Sequence, residues 1–470
     1  MKYLKYIVLS VFSMTVSSCG EDFLSPKPIS SITADTFYSS EKELETAVIN
    51  MYDGIQGINS TSNDDNHGVQ EEYILTEMRT DNSGTRSGEG EPARLESYSV
   101  ESTNSTVANY YSSFYNIIFR AHVVLENLGV ADSQRDRFEG EAKFVRAYAY
   151  FNLVRLFGEV PMPTSVVLQD NEGVLFTRIG TSTIYDLIVD DLTTAVANLD
   201  NTYKTRASQA AAQALLAKVH LTLGEYNEAL PLLEPVISSM EFDLEENFED
   251  IYEISNERNE EIIFAIGYDG VNQTDSQLFS AEMTANGRTS GLNYLPQNMI
   301  SALENIGGEE RAAASYQEDP KPQYAGFFQT KKFIPNGNPE ASDPTIGGND
   351  WIVLRYADVL LMHVEAIMAG NPSTSDGGAI ASFQKVRDRA GLTDLVTTIT
   401  AQELLDERRV ELAFENHRFF DLIRFGVAET VLGDWADDQG YNFSVTDLLL
   451  PIPQREINLS KGQLDQNPGY

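Results

Sequence analysis

The chain holds one cysteine, Cys19, in 470 residues. A lone thiol cannot form a disulfide within the chain. Tryptophan is almost as scarce, at two residues, and neither precedes Trp351. The five histidines, His67, His122, His220, His363 and His417, lie more than fifty residues apart. That spacing excludes the paired histidines of a zinc helix motif. Gly-rich phosphate loops are also missing, and Gly84-Thr85-Arg86-Ser87-Gly88 is not a nucleophile elbow. Basic residues number 33 against 71 acids. A chain this acidic is repelled by phosphate backbones, so nucleic acid is excluded as a partner. No apolar run reaches the roughly 20 residues of a membrane span.

One shorter apolar run, Tyr6 to Val16, follows Lys2 and Lys5. Its length and flanks are those of a signal-peptide core. It ends in Val16-Ser17-Ser18-Cys19, small residues before the thiol that takes a lipid. Residues 1–18 are therefore expected to be a lipoprotein signal, with the membrane reached through a lipid on Cys19. Removing them takes the net charge from −38 to −40. Residues 19–31, with Pro26 and Pro28, read as an extended tether. Gly20-Glu21-Asp22 is similar to the acidic tag that sends lipoproteins of the Bacteroidetes to the outer face of the outer membrane.

Apolar residues make up 42% of the chain, including 22 Tyr and 23 Phe, enough for a substantial core. Thr33 or Asp35 is a candidate helix cap. Helical spacing then runs through Ser40–Gln56, Tyr110–Leu128, Glu139–Phe157 and Ile184–Leu199. Ala210 to Ser238 places Ala217, Gly224, Tyr226 and Ala229 where a tetratricopeptide helix pair puts its small and aromatic contacts. Further helices are expected over Trp351–Met368, Ile380–Ala390 and Glu403–Phe425. Between them, Glu241–Asn349 is rich in Gly, Asn, Pro and Asp, with one candidate strand at Ile262–Ile266. Such a long irregular stretch is often functional. The tail from Leu448 to Tyr470 is expected to be extended.

Seventy-one acids will always offer some carboxylate pair for glycoside hydrolysis. On Glu403–Phe425, the pairs Arg408/Glu411, Glu415/Arg418 and Asp421/Arg424 are spaced as ion pairs along one helix, surface or half-buried. Asn63-Asp64-Asp65-Asn66 and Asp434–Asp438 read as acidic loops. Calcium is the only cofactor they suggest, and neither has EF-hand spacing.

The tail Leu450-Pro451-Ile452-Pro453-Gln454-Arg455-Glu456-Ile457, ending Gln466-Asn467-Pro468-Gly469-Tyr470, resembles the C-terminus of the SusD/RagB outer-membrane lipoproteins. Arg355–Leu361, Glu407–Glu415, Arg418–Leu422 and the start from Cys19 to Pro28 are similar to the same family. The resemblance implies an all-α fold, with tetratricopeptide-like helix pairs in a right-handed stack and long irregular loops on one face. It divides the chain into residues 32–240 and 241–470, packed as one unit, with a loop insertion at 270–349. It implies a surface glycan binder that acts as the lid of a TonB-dependent, SusC-like barrel transporter. A lid for peptide or glycoprotein fragments and a glycoside hydrolase are the alternatives. Val364 stands where the family has alanine, a small packing change. The missing tryptophans leave the sugar class open. The implied ligand site lies between the Thr80–Tyr98 loop and the 270–349 insertion. Flat rings and planar polar groups there suit sugar faces and vicinal hydroxyls. Asp81, Asn82, Arg86 and Tyr98 supply them on the first loop, and Asn286, Arg288, Tyr294 and Tyr324 on the second. Arg86, Arg94, Arg288, Lys331 and Lys332 add positive charge that would suit a uronate or sulfated glycan.

Overall fold

A computed structural model describes residues 38–470, apart from 63–64, 86–89, 169–170, 285–291 and 339–342. Cys19, the signal and tether segments, Thr33, Asp35, Asn63, Asp64, Arg86, Asn286 and Arg288 lie outside the described residues. The first described helix, α1 (Glu41–Gln56), is capped by Ser40, whose side chain accepts from the Glu43 amide. Its apolar stripe, Leu44, Ala47, Val48, Met51 and Ile55, is buried. There follow α2 (Ser105–Glu126), α3 (Arg135–Phe157), α4 (Thr181–Asn198), α5 (Gln209–Leu223) and α6 (Tyr226–Ser238). Each packs on the helix before it. The α5–α6 turn is the one the sequence marks. Gly224 sits at φ 74°, a left-handed conformation that costs glycine nothing. Ala217 and Ala229 are fully buried. Tyr226 reaches onward rather than back, and its ring lies against Gly370 after a later helix.

Trp351–Arg355, expected to open a helix, is instead a strand. It pairs antiparallel with β1 (Ile262–Ile266), from Ile262↔Arg355 to Ile266↔Trp351. A five-residue run with Ile352 and Val353, buried on both faces, suits a pleated strand better than a helix turn. The 241–349 stretch is less irregular than its composition suggests. It contains α7 (Gln297–Ile306), α8 (Glu309–Ser315) and a small hairpin of β2 (Tyr316–Glu318) with β3 (Phe328–Thr330). After β4 (Trp351–Arg355) come α9 (Tyr356–Met368), α10 (Gly377–Arg389) and α11 (Ala401–Glu411). α9 packs on α6, so the C-terminal helices continue the stack. Buried residues from Leu44 to Leu464 form one contiguous cluster. A small satellite surrounds Phe248, Ile262 and Ile352.

Glu403–Phe425 is not one helix. It breaks after Glu411 and restarts as α12 (Arg418–Arg424), with Phe414 at φ 66° and Asn416 at φ 63° between them. The break redirects the charged side chains. Of the three expected pairs, Asp421–Arg424 alone is an ion pair within one helix. Arg408 instead reaches Asp358 at 2.9 Å and Asp421 at 2.8 Å. Arg355 is 1% exposed and meets Glu261, Glu411 and Glu415 at 2.6–2.7 Å. Arg311 and Arg389 close on Glu411 as well. The network is buried, not at the surface. Burial alone would raise the Glu415 carboxyl, but Arg355 and Lys332 outweigh it and hold it near 2. Two other expectations change. Asp434, Asp437 and Asp438 lie exposed on α13 (Ala428–Gln439), not in a loop. The tail is not wholly extended, because Gln454–Leu459 forms a helical turn after Pro453. Among the described residues no helix is long and apolar enough to cross a membrane.

Candidate functional site

The loop after α1 is closed at its neck by two glycines. A Cβ on Gly57 would lie 2.1 Å from the His67 carbonyl carbon, and one on Gly68 would lie 2.1 Å from the Ile55 oxygen. His67 fills the loop, with Nδ1 3.2 Å from the Ile58 carbonyl and Nε2 2.9 Å from the Ser62 carbonyl. Side chains from this region then reach into the late insertion. Asn59 donates to Ser276 Oγ at 2.7 Å and to the Thr345 carbonyl at 2.8 Å. Gln70 Oε1 accepts from the Leu278 amide at 3.3 Å, and the Tyr73 hydroxyl donates to Glu282 at 2.9 Å. Further on, Gly84 and Tyr294 form an isolated antiparallel bridge.

A cavity of about 140 Å³ lies at this junction, lined by Ser60, Thr61, His67, Gln70, Glu71 and Glu282 among others. Its walls come from both loop systems. Glu71 Oε2 is buried without a hydrogen-bond partner among the described residues. Burial, with the Glu282 carboxylate adding to it, pushes the Glu71 carboxyl up to about 8. Near neutral pH Glu71 therefore keeps its proton and offers an O–H donor. With two hydroxyls and an amide beside it, the cavity suits a polar, hydroxyl-bearing ligand. Among the described residues no group of three His, Cys, Asp or Glu is placed to hold a metal.

The residues named from the sequence divide sharply. Asp81 and Asn82 are buried inside the fold. Asp81 accepts both bonds of a forked pair from Arg418 at 2.9 Å, and Arg409 lies 2.9 Å away. Asn82 bonds Glu77 at 3.1 Å and accepts from Arg409 at 2.7 Å. Tyr98 is buried at φ 52°, with its hydroxyl on the Arg79 carbonyl at 2.8 Å. Tyr294 is buried too, with its hydroxyl on Asp319 at 2.7 Å. All four side chains are taken up by internal bonds rather than presented to solvent. Tyr324 is half-buried on the β2–β3 hairpin. Lys332 is no free cation: it is buried 2.7 Å from Glu415.

Sequence reasoning missed Gln70, Glu71, Glu282 and Phe327. Phe327 is 42% exposed at the hairpin and sits edge-on to Tyr294, with ring centroids 6.0 Å apart. Its signal was Gly326-Phe327, an aromatic just past a glycine turn in a polar loop. Glu71 had no signal, because the burial that keeps its proton on, with Glu282 adding to it, comes from packing between segments more than two hundred residues apart in sequence. Neither tryptophan presents an exposed ring. Trp351 stacks on Phe333 at 5.5 Å in the core, and Trp435 is 8% exposed.

A helical stack carrying a polar, loop-lined cavity defines a binding scaffold of the all-α class. Residues 237–470 match the model of the SusD family, and residues 22–221 match a model described as starch-binding associating with outer membrane. The chain belongs to the SusD family. It is 26% identical to SusD-like protein P25 of Formosa agariphila across the whole of both chains. It is 25% identical to the starch-binding protein SusD of Bacteroides thetaiotaomicron, over 73% of this chain and 74% of that one. A solved laminarin-binding SusD-like protein superposes with a TM-score of 0.77 at 27% identity, covering 92% of this chain and 100% of the other.

Proposed function

We propose that this protein is a cell-surface glycan-binding lipoprotein. On this reading Cys19 carries the lipid at the outer membrane, and the junction of early and late loops captures an oligosaccharide. The protein then serves as the lid of a TonB-dependent barrel, since a lipid-anchored binder needs a separate channel to pass its ligand inward. Residues 32–240 and 241–470 move together as that lid. The observation that carries the reading is the hydroxyl-matching cavity between the two loop systems, in a chain whose solved relative is named for binding laminarin. Phe327, with Tyr324 beside it on the hairpin, supplies the ring face for sugar C–H groups. Arg86, Asn286 and Arg288, named from the sequence, remain proposed ligand contacts. The role is binding without turnover.

The test is retention on a panel of polysaccharides, followed by calorimetry with the matching oligosaccharides. The panel includes neutral β-glucans, starch, and uronate and sulfated glycans, with peptides as a separate arm. The expected result is saturable binding of one glycan class, weakened in Phe327→Ala and Glu71→Ala, with no sugar released. Binding of peptides alone would replace the glycan reading. Sugar release lost in a single carboxylate variant would replace the binding reading with hydrolysis.

A further inference from the structure

α2 and the segment of residues 160–168 and 171–176 enclose a groove of about 480 Å³ that shares no lining residue with the proposed glycan cavity. Tyr115, Phe119 and His122 line it from α2, and Pro163, Leu168 and Leu175 line it from the segment. The segment is held against α2 by fixed bonds. The Tyr115 hydroxyl donates to the Pro161 carbonyl at 2.6 Å, and the Val166 amide donates to Glu126 at 2.7 Å. The rim is unusually apolar for a solvent-facing surface. Phe119 is 46% exposed and Leu168 62%. His122 is only 2% exposed, and its Nε2 has no hydrogen-bond partner among the described residues. A buried polar atom left unbonded is costly, so a ligand group that bonds it gains.

We infer that this groove is a second binding site, for a small uncharged ligand with an aromatic or branched apolar body and one hydroxyl or carbonyl group. The apolar walls take the body, and His122 Nε2 meets the polar group. Burial, with Arg146 nearby, lowers the imidazole pKa to about 3, so the ring is neutral and can donate or accept according to tautomer. Arg146 attracts no anion, because Asp191 already occupies its guanidinium at 2.7 and 2.8 Å. Glu172 on the lining and the overall charge of −38 further disfavour anionic ligands. The size also points to a small molecule. A groove of several hundred cubic ångströms fits one, whereas a protein partner needs about 1,000 Å² of buried surface.

The test uses the purified protein with ring-labelled histidine, followed by NMR. Phenol and benzoate are the probes, sharing a ring and differing in charge. Phenol is expected to move the His122 ring resonance in a saturable way, while benzoate binds about tenfold more weakly, because its charge is desolvated without a partner. The exposed substitutions Leu168→Asp and Phe119→Ser should abolish the response to phenol without changing the circular dichroism. His122→Phe should remove the preference for a hydroxyl-bearing probe, so that phenol and benzene bind alike. The inference fails if phenol leaves the His122 resonance unmoved near its solubility limit, or if Leu168→Asp responds like the parent. It also fails if simple dilution moves the resonance without probe, which would make the groove a contact between copies. Binding of glycans at the loop cavity is a separate measurement and does not bear on either result.

Discussion

Gly84 and Tyr294 exchange both backbone hydrogen bonds, Gly84 N–H to the Tyr294 carbonyl at 2.8 Å and Tyr294 N–H to the Gly84 carbonyl at 2.7 Å. This bridge locks the early loop to the late insertion beside Phe327. Proline at position 84 removes one donor. Gly84→Pro should therefore weaken glycan binding by about 0.5–1.5 kcal/mol, the usual net worth of one hydrogen bond. The helical core should be untouched, so calorimetry should change while the urea midpoint moves little. A Cβ at position 84 meets nothing closer than 3.6 Å, which makes Gly84→Ala the matched control with near-parent affinity.

Asp81 separates a brace from a ligand contact. Its carboxylate faces Arg418 and Arg409, and both guanidiniums lose their counter-charge in Asp81→Asn. A buried ion pair broken from one side costs about 3–5 kcal/mol. The expected outcome is a large loss in denaturant stability, with unchanged affinity under conditions where the variant remains folded. Selective loss of affinity with stability intact would return Asp81 to the ligand site.

The sequence exposes helices far better than it exposes sites. α2, α3, α4 and α10 follow their apolar stripes to within a few residues, because a stripe at helical spacing has one way to be buried. β4 was hidden because Trp351–Arg355 runs without a break into the apolar helix α9, so the periodicity continues through the junction. The loop residues were harder still. Asp81, Asn82, Tyr98 and Tyr294 have the chemistry of sugar contacts, but their partners, Arg418, Arg409, Arg79 and Asp319, come from elsewhere in the chain. Residue type alone does not say whether a polar group is already satisfied. The Glu411 and Glu415 ion pairs were misplaced for the same reason: three-residue spacing assumes a continuous helix, and the chain turns at Phe414.

Arg355, at the end of β4, ties three other segments together. It bonds Glu261 beside β1 and Glu411 at the end of α11, and it meets Glu415 in the turn that follows. Methionine would fill part of its volume and leave three carboxylates short of a cation. Arg355→Met is expected to cost about 3–5 kcal/mol in urea unfolding. Lys385→Met is the control, because its pair with Asp243 is 41% and 54% exposed, and exposed pairs contribute about 0–1 kcal/mol.

Acid should dismantle the same network. Burial raises the Glu415 and Asp421 carboxyls, but Arg355 and Lys332 beside the first and Arg408 and Arg424 beside the second bring both down to about 2. The folded values lie below the ordinary 4.5 and 3.8, so between those values and 2 the unfolded chain binds more protons. The stability they contribute is complete above pH about 4.5 and is lost as pH falls toward 2. His417, which burial lowers from 6.5 to about 3, acts in the same direction up to its ordinary value. Chemical unfolding measured from pH 2.5 to 4.5 should show stability rising steeply with pH. Glu415→Gln should reduce that rise by on the order of 2 kcal/mol across the window.

Glu77 should show the opposite sign in the next window. Its side chain is fully buried, with Oε1 accepting from Asn82 at 3.1 Å and from the Phe414 amide at 3.0 Å. Oε2 has no partner. Burial outweighs those two donors and raises the carboxyl to about 7. Between 4.5 and 7 the folded protein binds the proton that the unfolded chain has released, so stability falls as pH rises and levels off above 7. Glutamine keeps the accepting Oε1 and cannot ionise. Glu77→Gln should thus match the parent near pH 5 and exceed it at pH 8 by on the order of 3 kcal/mol. Urea midpoints for both proteins at the two pH values test this directly. Equal differences at both would mean that Glu77 is ionised in the fold, with its charge met by Lys332 and Arg418.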